Sequence, residues 1–128
     1  MKPRVLIVDD SRFMRMLLGD LLAKNDFEIV GEAESAQQAL EEYRSLRPDL
    51  VTMDILMPGK DGIEATRDLL REDPQARVVM VTAMGMEDYI QKAVEAGASG
   101  FILKPFSPER VVDTLRRVLD GEKPPPPF

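Results

Sequence analysis

Short apolar runs alternate along this chain with longer stretches of helical period. Val5-Leu6-Ile7-Val8 is continuous and of strand length, and Phe13, Met14, Leu17, Leu18, Leu21 and Leu22 after it fall on one helical stripe. Residues 27–33 form a second strand with fewer apolar side chains, which places it nearer a sheet edge. Ser35-Ala36-Gln37-Gln38 fits a capping box that opens a second helix through about Leu46. Leu50-Val51-Thr52-Met53 is the third strand, and 62–72 the third helix. Val78-Val79-Met80-Val81 is the fourth strand, followed by a helix over about 87–96 with Gly97 at its C-cap.

Phe101-Ile102-Leu103 is the fifth strand. Ser107 as N-cap and Pro108 in the first turn start a last helix that turns Val111, Val112, Leu115, Val118 and Leu119 inward. Five strand-helix units in series predict an α/β domain, because parallel strands need crossover connections that cover both faces of the sheet. An antiparallel arrangement of the same elements lacks the hairpin turns it would need.

Composition narrows the chemistry. A chain of 128 residues is one domain, with 1–120 as its body, and 121–128, ending in four prolines and a phenylalanine, as a tail or linker stub. That tail reads as an interdomain stub or an unstructured end, with a proline-recognition ligand as the lesser reading. The net charge of −6 argues against direct nucleic-acid or membrane-surface binding, which needs clustered Lys and Arg. It leaves a cation or a basic protein as partner. Cysteine and histidine are both absent, so thiolate nucleophiles, Ser-His catalysis and the common zinc sites are excluded. No apolar run approaches the roughly 18 residues of a membrane span, and a cytoplasmic location is the expectation.

In a parallel sheet the functional crevice lies beyond the carboxyl ends of the strands. The first strand delivers Asp9 and Asp10 there, the third Asp54, the fourth Thr82 and the fifth Lys104. One acid at a strand end is ordinary solvated loop chemistry. Three acids, a hydroxyl and a lysine at matched places are not. Carboxylates about 4 Å apart repel by roughly 4 kcal/mol at an effective dielectric of 20, so the cluster calls for a cation. Hard oxygen ligands favour Mg²⁺. A carboxylate beside Mg²⁺ and lysine can attack phosphorus to form an aspartyl phosphate, with Thr82 donating to the new phosphoryl oxygen.

"VLIVDDS", "VTMDILMP", "VTAMG" and "GASGFILKPF" resemble the signature stretches of the response-regulator receiver domain, in one register over about residues 4 to 120. The stand-alone chemotaxis regulators are the most similar group. The resemblance implies a flavodoxin-like, doubly wound five-stranded parallel sheet of order 2-1-3-4-5 with five helices. It implies a two-component phosphorelay module in which Asp54 is the phosphoacceptor and a histidine kinase the donor. Mg²⁺ (or Mn²⁺) would be ligated by Asp10, Asp54 and the backbone carbonyl of Leu56, with Asp9 acting through water. Lys104 would bridge the acids and the phosphoryl group, and Lys104-Pro105 would be a cis peptide.

The family switches by moving a hydroxyl residue toward the phosphoryl group while an aromatic on the fifth strand turns inward. Thr82 and Phe101 occupy those positions, although periodicity alone reads Phe101 as an ordinary packed aromatic. The resemblance places the output surface on the fourth helix, fifth strand and fifth helix, with Met84, Met86, Tyr89, Ile90, Phe101 and Arg110 as candidates. Met84 and Met86 serve equally well as local core filler. The partners implied are the kinase and a downstream protein such as the flagellar switch. A monomer is expected, with a dimer on phosphorylation as the alternative. Leu56 and Met84, two positions after Asp54 and Thr82, are apolar where faster self-dephosphorylating relatives often carry polar groups, which predicts slow loss of phosphate.

Three competing readings remain. The receiver could belong to a longer regulator, such as a methylesterase or a transcription factor. A haloacid-dehalogenase-type phosphatase also uses an Asp nucleophile with Mg²⁺, but wants a second Asp where this chain has Leu56. A flavodoxin would need a phosphate loop after the first strand, where the acids of "DDSRFMRM" repel a phosphate. A module that catalyses only its own phosphorylation and dephosphorylation, not an enzyme acting on other substrates, is the reading that survives.

Overall fold

Every apolar run becomes a strand in the computed structural model, which describes residues 1–123. The chain forms β1 (Arg4–Val8), α1 (Arg12–Ala23), β2 (Glu28–Ala33), α2 (Ala36–Leu46), β3 (Leu50–Met53) and α3 (Gly62–Glu72). It continues through β4 (Val78–Thr82), α4 (Glu87–Glu95), β5 (Gly100–Leu103) and α5 (Pro108–Leu119). All strand pairs are parallel, and the order across the sheet is β2-β1-β3-β4-β5. The prolines of the tail and Phe128 lie outside the described residues.

Helices on both faces explain the unbroken apolar runs. Every residue of β3 and β4 is buried, whereas the edge strand β2 buries only Ala33. Alternate strand residues feed two cores. Leu6, Val8, Val51, Met53, Met80 and Phe101 pack with α2, α3 and α4. Val5, Ile7, Leu50, Val79, Val81 and Ile102 pack with α1 and α5. Among the described residues, no helix is long and apolar enough to cross a membrane.

Side-chain caps set where the helices begin. Ser11, Ser35, Asp61 and Ser107 each accept a hydrogen bond from a backbone N–H three residues on, and Pro108 comes after Ser107 in the first turn of α5. The capping box at Ser35 is offset by one residue: Gln38 Oε1 accepts from the N–H of Glu34 at 2.9 Å, not from that of Ser35. Gly97 succeeds the C-cap residue Ala96 with φ +100°, as a left-handed helix end requires. At the opposite end of the sheet from the acids, the Tyr43 hydroxyl donates to Asp73 at 2.7 Å and ties α2 to the turn after α3. Burial, reinforced by the Asp73 carboxylate, pushes the Tyr43 phenol up to about 12.

One expectation fails in α1. Leu18 and Leu22 are buried and Met14 and Leu21 half-buried, but Phe13 is 70% and Leu17 44% exposed. Met16 lies beside them, also exposed. Positions 14, 18, 21 and 22 form the row that faces the sheet, and 13, 16 and 17 form a separate row turned toward solvent. Apolar residues cover too wide an arc of this helix for periodicity to tell the two rows apart. In α5 the inward face is Val111, Leu115 and Val118, with Val112 and Leu119 half-buried at its flanks.

Thr52 in the middle of β3 is 1% exposed, and its hydroxyl has no hydrogen-bond partner. A buried polar group left unpaired carries its full desolvation cost. Thr52→Val is therefore expected to raise the unfolding free energy by about 1 kcal/mol in a urea titration. A loss of similar size would show that the hydroxyl is paired in solution.

Candidate functional site

Parallel strands all end on the same edge of the sheet, and the polar residues there are held by an extension of its ladder. The N–H of Asp9 donates to Ala33 C=O at 3.0 Å, that of Asp54 to Val8 C=O at 3.0 Å, and that of Lys104 to Thr82 C=O at 2.9 Å. Strand registry thus fixes the backbone of Asp9, Asp54 and Lys104 one residue beyond the apolar runs.

The side chains converge from that frame. Lys104 Nζ lies 2.6 Å from Asp9 Oδ2 and 2.9 Å from Asp54 Oδ2. Both carboxylates are buried, at 6% and 7% exposure, while Asp10 is exposed at the mouth. Burial alone would pull the Lys104 ammonium down, but its bonds to Asp9 and Asp54 outweigh that and hold it above the ordinary lysine value. Carboxylate oxygens of Asp9, Asp10 and Asp54 all lie within 4.8 Å of one another. Three anions face one cation, so the crevice keeps an unbalanced negative charge. A hard divalent cation fits that donor set, which is oxygen-only and open on the Asp10 side.

Neighbouring groups hold the acids in place. Asp9 Oδ1 accepts from the N–H of Ser11 at 2.9 Å, and Asp54 Oδ1 lies 3.4 Å from the N–H of Leu56, whose side chain points outward. Thr82 is fully buried, and its Oγ1 accepts from the N–H of Met84 at 3.3 Å. The Lys104-Pro105 peptide is cis.

Two residues of the site were missed by sequence reasoning. Arg15 donates from one guanidinium nitrogen to Asp9 C=O at 2.7 Å and from Nε to Glu32 at 2.8 Å, which fastens α1 to the end of β1. Gly62 opens α3 against the segment just beyond β3. A Cβ there would sit 1.9 Å from the Asp54 carbonyl oxygen, and its N–H donates to Ile55 C=O at 2.8 Å. Nothing in the local pattern marks either residue, because both contacts are made across the fold.

On the face built from α4, β5 and α5, Met86 and Arg110 are exposed and Met84 and Tyr89 half-buried. Ile90 and Phe101 are each only 7% exposed. They belong to one core beneath α4 and support this face from below.

The family model described as response regulator receiver domain matches residues 5–116. The chain is 49% identical over 120 residues to the chemotaxis protein CheY of Bacillus subtilis, covering 94% of this chain and 100% of that one. To the chemotaxis protein CheY of Thermotoga maritima it is 48% identical over 118 residues, 92% of this chain and 98% of the relative. The crystal structure of the CheX-CheY-BeF3-Mg complex from Borrelia burgdorferi matches with TM-score 0.87 and 34% identity, over 90% of this chain and 87% of that chain. The matched span runs from β1 into α5 and takes in every strand that ends in the acidic crevice. The chain therefore belongs to the response regulator receiver domain family, and within it is similar to the chemotaxis CheY proteins.

Proposed function

We propose that Asp54 accepts a phosphoryl group from a kinase phosphohistidine or a small phosphodonor, and that this switches the α4-β5-α5 face for a downstream protein in chemotaxis. The observation that carries the reading is the buried Asp54 carboxylate, held 2.9 Å from Lys104 in a crevice shared with Asp9 and Asp10. An Asp54 oxygen forms the new bond to phosphorus. The bond from phosphorus to the donor breaks, and its electron pair leaves with the donor, which is protonated from solvent.

This chain's residues orient that transfer. Lys104 sets the Asp54 carboxylate and presents positive charge where the transferred oxygens arrive. Asp10, Asp54 and the backbone carbonyl of Leu56 would hold Mg²⁺ or Mn²⁺, with Asp9 acting through water; when bound, the ion neutralises charge on the incoming phosphoryl group. The Thr82 hydroxyl, which accepts from Met84 N–H, donates its own proton to a phosphoryl oxygen. Movement of Thr82 then lets Phe101 repack under α4. The free energy of the switch comes from contacts that the phosphoryl group makes in one arrangement and not the other. No second carboxylate stands two positions beyond Asp54, where the chain has Leu56, so the module modifies itself and does not turn over a separate phosphoester.

Incubation with a small acyl phosphate and Mg²⁺ is expected to add one phosphoryl group, read by intact mass, and EDTA is expected to abolish it. An unchanged mass, or uptake indifferent to EDTA, contradicts the proposal. Loss of the group is expected to be slow, over hours rather than seconds, because neither Leu56 nor Met84 can orient a water. Release of inorganic phosphate from the isolated phosphorylated chain measures this, and a burst within seconds would refute it.

A further inference from the structure

Asp10 is the acid of the crevice whose direction is left to its own backbone. Lys104 and the N–H groups of Ser11 and Leu56 reach the carboxylates of Asp9 and Asp54. Among the described residues, no hydrogen bond reaches the carboxylate of Asp10. Its aim therefore depends on the peptide that joins it to Asp9. That peptide must turn two consecutive acids different ways, since Asp9 is buried and Asp10 is exposed at the mouth. The bond from Asp9 N–H to Ala33 C=O fixes the peptide before it, not this one. Because a peptide is planar, a bond to Asp9 C=O also sets the N–H and Cα of Asp10. Arg15 makes that bond, from one guanidinium nitrogen at 2.7 Å.

Arg15 is built into this place. A cation near the N-terminus of a helix is disfavoured by the helix dipole, and α1 has no acid in its first turn to offset it. Helical side chains lean toward the N-terminus, which carries the guanidinium back over the start of α1. The side chain is only 12% exposed, and Glu32 of β2 accepts from its Nε at 2.8 Å. The planar fork is thus held by two acceptors at once, which a point charge cannot reproduce. Glu32 also balances the guanidinium, so the crevice keeps its own negative charge. We propose that Arg15 is a positioning residue for the Mg²⁺ site, fixing the Asp9–Asp10 peptide so that the Asp10 carboxylate faces those of Asp9 and Asp54. The inference rests on the reading of the crevice as a Mg²⁺ site and deepens it.

Loss of a group that orients a metal ligand costs about 10- to 100-fold in metal affinity. R15M is accordingly expected to bind Mg²⁺ about tenfold more weakly than the native chain, in a titration followed by backbone amide shifts. The direction is diagnostic, because removing a nearby cation would by itself tighten Mg²⁺ binding. R15K keeps the charge but cannot span both acceptors, so it is expected to weaken binding as well, by a smaller factor. Y43F loses the bond to Asp73 at the far end of the sheet and serves as a control for general loosening, with native Mg²⁺ affinity expected. The native chain's own titration tests the Mg²⁺ reading: with no uptake that reading falls, and the role of Arg15 with it. Where the native chain binds, native-strength or tighter binding by R15M or R15K, or an equal loss in Y43F, overturns the role of Arg15 alone.

Discussion

Gly62→Ala is expected to lose about 3 kcal/mol or more of stability, and with it most of the capacity of Asp54 to be modified. The added methyl would lie 1.9 Å from the Asp54 carbonyl oxygen, 2.8 Å from its carbonyl carbon and 3.0 Å from Ile55 Cα. All three are backbone atoms, so no side-chain rotation relieves the overlap. Either α3 retreats from its first turn, which breaks the Gly62 N–H bond to Ile55 C=O, or the loop carrying Asp54 and Leu56 is pushed outward. Both outcomes disturb the site without touching any of its ionisable groups. Urea denaturation and phosphoryl uptake on the same sample check this, and near-native values for both would show that the segment yields freely.

Lys104→Met is expected to separate stability from chemistry in a different way. Without the ammonium, buried Asp9 and Asp54 face each other and Asp10 with no cation, and breaking such a buried pair costs about 3 kcal/mol. Millimolar Mg²⁺ is expected to restore part of that loss. The variant is also expected to bind Mg²⁺ more tightly than the native chain, because Lys104 occupies oxygens of the same carboxylates. Phosphoryl uptake nevertheless falls by about a hundredfold or more, since a positive group at the transferred oxygens is gone. Weaker Mg²⁺ binding by the variant, or undiminished uptake, would contradict this role for Lys104.

The sheet was legible because burial on both faces writes itself as unbroken apolar runs, and each run stops at a polar residue on the same edge. Asp9, Asp54, Thr82 and Lys104 stand out for that reason alone. Ser35, Ser107 and Gly97 were legible because a cap is decided by neighbours within a few residues. The misreading of Phe13 and Leu17 has the opposite origin. Seven apolar residues in α1 satisfy more than one helical face, and only packing against the sheet selects Leu18 and Leu22. Ile90 and Phe101 were drawn to the α4-β5-α5 face by family resemblance, and only packing shows that their side chains lie in the core beneath α4. Arg15 and Gly62 left no local trace, because a hydrogen bond to Asp9 C=O and a close backbone approach at Asp54 exist only once distant segments have met. Thr52 reads as one more strand residue, and only the finished sheet shows that its hydroxyl is stranded.

Where the phosphoryl group lands is the most direct question to put to this molecule. Phosphorylating the chain with an acyl phosphate and Mg²⁺, trapping the acyl phosphate by reduction and sequencing the peptides is expected to find the change at Asp54 and nowhere else. D54N, treated in parallel, is expected to stay unmodified while keeping its fold. Trapping at Asp9, Asp10 or a residue outside the crevice, or native-like uptake by the Asn variant, would contradict the account.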